Sequence, residues 1–340
     1  MTIAEIHRLF LECNSISTDT RKIENNSMFV ALKGENFDAN TFAEEALVKG
    51  AKYVIIDNPT YAVSDKTILV ENSLTALQQL ATYHREFLKI PIVALTGSNG
   101  KTTTKELIHV VLAKKFKTKA TKGNLNNHIG VPLTLLSFSK GTEIGIVEMG
   151  ANHQKEIEFL CEIAKPDYGY ITNFGKAHLE GFGGVEGVIK GKSEMYSHLK
   201  THNKTVIVNL DDAIQNDKTT DFNRITFSQK DTSANVFINE VSANPFVKIK
   251  TLNTEIKSHL IGLYNANNIN AAITIGNHFG ISASEIKEAI ESYIPENNRS
   301  QLITKNSNEI ILDAYNANPS SMKVALENFI QLENKNKVAI

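Results

Sequence analysis

At 340 residues the chain is too long for one ordinary core and suits two or three domains. Its 41% hydrophobic and 21% charged residues match the composition of soluble globular proteins, and 36 basic against 37 acidic side chains exclude a nucleic-acid binder that works by bulk electrostatics. Any anion must therefore be met by a local site. Cys13 and Cys161 stand far apart without a zinc or redox motif, so both are expected to be reduced thiols in a cytoplasmic protein, Cys161 on the apolar face of a helix. The first ten residues include Glu5, His7 and Arg8 and no apolar signal core, and no run approaches the ~18 apolar residues of a membrane span.

In chain order, the patterning predicts a small α/β unit over residues 1–85, with strands at 28–32, 53–57 and 67–70, then a helix over 73–88 that ends before Pro91. Strands at 92–96, 144–148, 168–172 and 205–209 alternate with helices at 101–115, 153–164 and 185–199. This is the βαβ rhythm of a parallel sheet covered on both faces. Alternating runs between 225 and 260 suggest a short antiparallel excursion, and helices return at 265–279 and 283–292. The polar PENNRS run at 295–300 reads as a linker. A third unit then opens with a strand at 310–313, a helix near 319–333 and a strand start at 337–340. One strand, one helix and four further residues cannot build a core, so the third domain is expected to be incomplete.

The densest chemistry lies at 93–104, VALTGSNGKTTT, where an apolar strand breaks into a glycine-rich loop, presents a lysine and starts a helix. Gly97 and Gly100 allow a tight turn whose N–H groups converge on an anion, Lys101 adds a positive charge, and Thr102 offers a hydroxyl to phosphate-bound Mg²⁺. Leu95 stands where a strict G-x-x-x-x-G-K-[ST] motif has its first glycine. A plain strand-to-helix turn has no need of Lys-Thr straight after it, so nucleotide phosphate binding is the reading taken.

Other polar groups fall at predicted strand ends, where ligands of open parallel sheets lie. Glu148 is a natural Mg²⁺ ligand there, or else a solvated glutamate that closes a strand. His178 could bind metal or a reacting carboxylate, or sit idle on the surface. Lys192 has nothing in its spacing to separate it from an ordinary solvated helix lysine. The run Thr121–Gly130, with Asn124, Asn126 and Asn127, is either a long loop or a set of amides for sugar and peptide. Asn265, Asn267, Asn268 and Asn270 form a second amide cluster, of which an N-cap explains one.

Taken together these blocks resemble the Mur ligases, the ATP-dependent amide ligases of peptidoglycan synthesis. The resemblance is carried by STDTR at 17–21, LKGENFD at 32–38, TGSNGKTTTKE at 96–106, GNLNNHIGVPLTLL at 123–136, VEMGAN at 147–152, NFGKAHLEGFG at 173–183, GLYNANNINAA at 262–272 and LDAYNANPSSM at 312–322. It implies a small N-terminal α/β domain (1–85) that binds the uridine nucleotide through Ser17, Asp19 and Arg21. A central parallel-sheet ATPase domain (86–298) and the start of a Rossmann-like C-terminal domain (299–340) would follow. ATP would be held by Gly97, Ser98, Asn99, Gly100, Lys101, Thr102 and Thr103, with Asn268 near the adenine and Arg299 in the hinge. Mg²⁺ would meet Thr102, Glu148, His178 and a carbamylated Lys192, with Lys101, His178 and Lys192 as the catalytic set. Asn124, Asn126, Asn127, Asp313, Tyr315, Asn316 and Asn318 would line the peptide substrates. Tyr264 departs from the family, which usually has histidine there.

The implied reaction joins D-alanyl-D-alanine to UDP-N-acetylmuramoyl-tripeptide through an acyl phosphate, which needs no protein nucleophile. With its third domain incomplete, the chain is expected to bind nucleotides without forming the amide bond. A folylpolyglutamate-synthetase-like ligase shares the phosphate loop, but the blocks at 17–38 and 313–319 count against it; a non-catalytic nucleotide-binding module is the reading from another class. A monomer is expected, although nothing in the residues fixes the oligomeric state or the third amino acid of the peptide.

Overall fold

The computed structural model describes all residues except 297, 314, 316 and 333–335. The first unit is a four-stranded parallel sheet in the order Ile16–Ser17, Ser27–Val30, Ala51–Ile56, Thr67–Leu69. Side chains alternate across a strand, so neighbouring residues feed different cores. Phe29 packs with Val54, Ile56 and the alanines of the helix Ala43–Val48, while Met28, Val30 and Ile55 face the helices Ile3–Phe10 and Ser73–Leu88. That second cluster does not stop at the unit's edge. It runs through Leu77, Leu80 and Ala81 into Ile92, Val131, Leu135 and Leu160, so the first unit and the central sheet share one core.

The central sheet has nine strands, in spatial order Thr254–Ile261, Phe246–Thr251, Val236–Ala243, Asn223–Ser228, Thr205–Asn209, Tyr168–Ile171, Ile92–Thr96, Ile144–Glu148 and Thr118–Ala120. The seven from Val236–Ala243 onward are parallel, and the first two add an antiparallel excursion. From Ile92–Thr96 the chain runs to the far edge at Thr118–Ala120, returns to Ile144–Glu148, then crosses to Tyr168–Ile171 on the other side. The switch point therefore lies at the carboxyl end of Ile92–Thr96, and open α/β sheets bind ligands at such a crevice.

The last unit differs from its predicted form. In place of a single strand, Gln301–Lys305 and Asn308–Leu312 pair as a hairpin, turned by Asn306 and Ser307, which both have positive φ (50° and 62°). Two consecutive positive-φ residues match the right-handed twist of a two-residue hairpin. The helix Pro319–Gln331 follows, with Asn318 and Ser321 forming a capping box. Residues 337–340 form no strand, because no neighbouring strand among the described residues offers them a ladder.

Candidate active site

A cavity of about 1330 Å³ opens where the central sheet switches direction. The strand Ile92–Thr96 is fully buried and delivers its loop there, and the helix Lys101–Leu112 begins at Gly100. Gly97 and Gly100 have φ of +145° and +80°. A side chain at Gly97 would run into the Thr172 hydroxyl, and one at Gly100 would lie 2.5 Å from Asn268 Oδ1, so only glycine fits this close approach. The neighbouring strand end braces the loop. The Ser98 N–H donates to Asn173 O (3.1 Å), the Asn99 N–H to Asn173 Oδ1 (3.1 Å), and the Thr172 hydroxyl to Asn99 O (2.5 Å). Two of the N–H groups expected to face an anion are thus engaged by Asn173. The remaining donors come from the first turn of the helix, which has no partners within the helix. Thr172, adjacent to a recognisable block, was not legible as a loop brace.

Lys101 folds back so that Nζ donates to Gly97 O (2.8 Å). Burial lowers its pKa, the Glu148 charge opposes that shift, and Arg299 adds to it. Glu148 is 2% exposed; its Oε1 accepts from the Asn126 amide (2.8 Å) and the Thr102 hydroxyl (3.4 Å), while Oε2 is buried without a partner. A buried, half-satisfied carboxylate oxygen beside a phosphate loop is suited to a cation. Among the described residues no three His, Cys, Asp or Glu side chains form a metal cage. Mg²⁺ does not require one, since it commonly takes one or two carboxylates and completes its shell with water and substrate phosphate. The residues present therefore fit it.

His178 borders the same cavity from a positive-φ position (53°), its pKa lowered by burial and then by the charges of Lys101 and Lys192. Lys192 lies behind the wall, 2% exposed. Its Nζ donates to Ala151 O (3.2 Å) and stands 4.9 Å from the Phe182 ring centre. Burial, reinforced by Lys101, pushes its pKa down to about 7.

The cavity gathers Ser98, Asn99, Gly100, Lys101, Thr103, Glu148 and His178 with Asn124, Asn126, Asn127, Asn268, Arg299, Asp313, Tyr315 and Asn318. Several of these amides also have internal duties. Asn127 Oδ1 accepts from the N–H groups of Ile129 and Gly130, and Asn318 Oδ1 caps its helix at Ser321. Asn268 accepts from the Thr104 hydroxyl (3.0 Å) and donates to Asn265 (2.8 Å), tying the helix Ala266–His278 to the phosphate-loop helix. Arg299 stacks 3.8 Å from the Tyr315 ring centre, and the Tyr264 hydroxyl meets Ser300 (2.8 Å). Asn316 lies outside the described residues. Ser17, Asp19 and Arg21 do not border the cavity. Asp19 instead pairs with Arg21 (2.9 Å) in the first unit, and that hydrogen-bonded guanidinium lowers its pKa to about 2. Asp212, which caps the helix Ala213–Lys218, and Gln154 also border the cavity and carry no motif that marks them in the sequence.

Fold and site together define an α/β ATP-dependent ligase with a phosphate loop at the switch point of a parallel sheet, and the chain belongs to the Mur ligase family: residues 95–276 match the Mur ligase middle domain, and residues 12–85 match the Mur ligase family catalytic domain. Among its relatives is the UDP-N-acetylmuramoyl-tripeptide–D-alanyl-D-alanine ligase of Bacillus subtilis, 35% identical over 327 residues that make up 95% of this chain and 72% of the relative. The ligase of that name from Escherichia coli is 32% identical, with 95% and 73% covered. The crystal structure of MurF from Acinetobacter baumannii superposes with a TM-score of 0.84 at 30% identity, covering 98% of this chain and 77% of that one. MurF ligase from Thermotoga maritima in complex with ADP gives 0.82 at 28%, covering 95% and 75%. No helix among the described residues is long and apolar enough to cross a membrane.

Proposed function

We propose that this chain serves the ATP-dependent joining of D-alanyl-D-alanine to UDP-N-acetylmuramoyl-tripeptide, as a monomer in the cytoplasm. The observation that carries the reading is the meeting of Lys101 and the half-satisfied carboxylate of Glu148 at the sheet's switch point. The terminal carboxylate of the tripeptide attacks the γ-phosphorus of ATP, ADP leaves, and an acyl phosphate forms. The dipeptide amine then adds to the acyl carbon, and phosphate departs as the amine loses its proton. Lys101, drawn away from Gly97 O toward the phosphates, offsets charge on the transferring oxygens. Glu148 and Thr102 would hold Mg²⁺ with His178 beside them, and the ion would supply Lewis-acid stabilisation of the phosphoryl oxygens.

Lys192 is proposed to carry a carbamate. Its neutral amine attacks CO₂, an N–C bond forms and a proton leaves to solvent, so an ammonium that would repel a cation becomes an anionic oxygen donor. Its burial, the absence of a carboxylate at hydrogen-bond distance among the described residues and a pKa near 7 support this reading. Phosphate release with ATP, the tripeptide nucleotide and the dipeptide tests the assignment. Release is expected to require both acceptors, an outcome that would overturn the expectation from sequence that the chain only binds nucleotides, and to fall by at least about a hundredfold in Lys101→Ala, with uridine-nucleotide binding retained. Release indifferent to the tripeptide nucleotide would overturn it.

A further inference from the structure

Outside the groups already assigned, the most completely buried Lys, Arg, Asp or Glu side chain among the described residues is Lys105, 1% exposed and one turn beyond Lys101 on the same helix. Its Nζ donates to Thr121 O (2.7 Å) and pairs with Glu106 (2.7 Å). Thr121, itself 2% exposed, opens the loop that leads to Asn126, and this loop grips Glu148 at several points. The Glu148 N–H donates to the Thr121 hydroxyl (3.0 Å), the Asn126 amide donates to Glu148 Oε1 (2.8 Å), and the Gly150 N–H donates to Asn126 O (2.7 Å).

We infer that Lys105 is a positioning residue: it ties the loop at 121–126 to the phosphate-loop helix and so fixes the Glu148 carboxylate relative to Thr102 and Lys101. Burying an ammonium here carries a desolvation cost, and the two partners that offset it are the loop carbonyl and a helix carboxylate, so the same contacts set the geometry of the loop. The Glu148 carboxylate has one oxygen held by Asn126 and Thr102 and the other unpartnered, so a small rotation of the loop re-aims the open oxygen. Groups that orient a metal-binding carboxylate typically influence metal affinity by about ten- to a hundredfold. This inference rests on the proposal that Glu148 serves a nucleotide-bound Mg²⁺.

The test is calorimetry of a non-hydrolysable ATP analogue binding to the 340-residue chain, with Mg²⁺ and with a chelator. Lys105→Met and Thr121→Val are each expected to cut the Mg²⁺-dependent gain in affinity by about tenfold while changing chelator affinity by less than about twofold. Thr121→Ser, which keeps the hydroxyl, restores the gain. If Lys105→Met fails to fold, Lys105→Arg, which keeps the charge but changes the reach to Thr121 O, takes its place, and the Thr121 variants test the loop's grip on Glu148. An undiminished Mg²⁺ gain in Thr121→Val, or a loss equal with and without the ion, overturns the inference. A wild-type chain whose nucleotide affinity ignores Mg²⁺ overturns the functional proposal as well.

Discussion

The floor beneath the phosphate loop and the wall made by the helix Val185–Thr201 each bury a lysine almost completely, and they treat it in opposite ways. Lys105 meets a carbonyl and a carboxylate, both at 2.7 Å. Lys192 meets one carbonyl at 3.2 Å, an aromatic face and the repulsion of Lys101. The two depths are nearly equal, so what separates the two sites is the set of partners each offers. The partners of Lys105 let it act as a strut between loop and helix, whereas burial and the Lys101 charge lower the pKa of Lys192 to about 7 and favour a neutral, reactive amine.

The largest expected separation between them is in stability. Lys105→Met leaves the Thr121 carbonyl without its donor and should cost about 2 to 3 kcal/mol in a denaturant melt. Lys192→Met removes an ill-satisfied group whose lowered pKa penalises the folded chain at neutral pH, so it should raise stability there and not lower it. Equal losses would erase the distinction.

A smaller effect follows from titration. The amine of Lys192 ionises near pH 7 in the folded chain and near 10.5 when unfolded, so between these values the unfolded chain holds the extra proton. Folding stability therefore rises with pH across that window, by up to about 1.4 kcal/mol per unit from this group. In bicarbonate-free buffer the difference in slope between the parent and Lys192→Met from pH 7.5 to 8.5 measures it. Adding ¹³C-bicarbonate in the same range should produce a carbamate resonance that Lys192→Met lacks and Lys105→Met keeps; its absence from the parent would refute the carbamate.

The smallest change sharpens the picture at Lys105. Glu106 is partly exposed, with a third of its side-chain surface open, so Glu106→Gln should cost under about 1 kcal/mol, because Thr121 O still accepts from the lysine. A loss as large as that of Lys105→Met would move the strut from the carbonyl to the ion pair.

Much of this arrangement is legible in the sequence because it is local. The buried strand Ile92–Thr96, its glycine loop and the following helix are encoded within a dozen consecutive residues, and the strand Ile144–Glu148 declares its terminal carboxylate directly. What escapes is pairing across distance. Nothing around Lys105 announces that its ammonium reaches Thr121, and nothing around Thr172 says that its hydroxyl closes over Asn99. The hairpin at 301–312 was readable in principle, since Asn306-Ser307 is turn chemistry, but its first strand alternates too weakly to stand out. The strand expected at 337–340 fails for the converse reason: an apolar run becomes a strand only where a neighbour completes its ladder.

The bond between Asn318 Nδ2 and Asn99 Oδ1 (2.7 Å) joins the cap of the last helix to the phosphate loop, and the Lys176 N–H to Ser320 Oγ contact (2.9 Å) reinforces it. One residue of the loop is therefore shared between the nucleotide's cradle and the seat of Pro319–Gln331. A phosphate that reorients Asn99 must alter the stability of that seat. By reciprocity, whatever holds the helix in place alters the affinity for phosphate by the same factor. Were nucleotide to reorient Asn99, its occupancy and the placement of the last unit would form a single thermodynamic cycle.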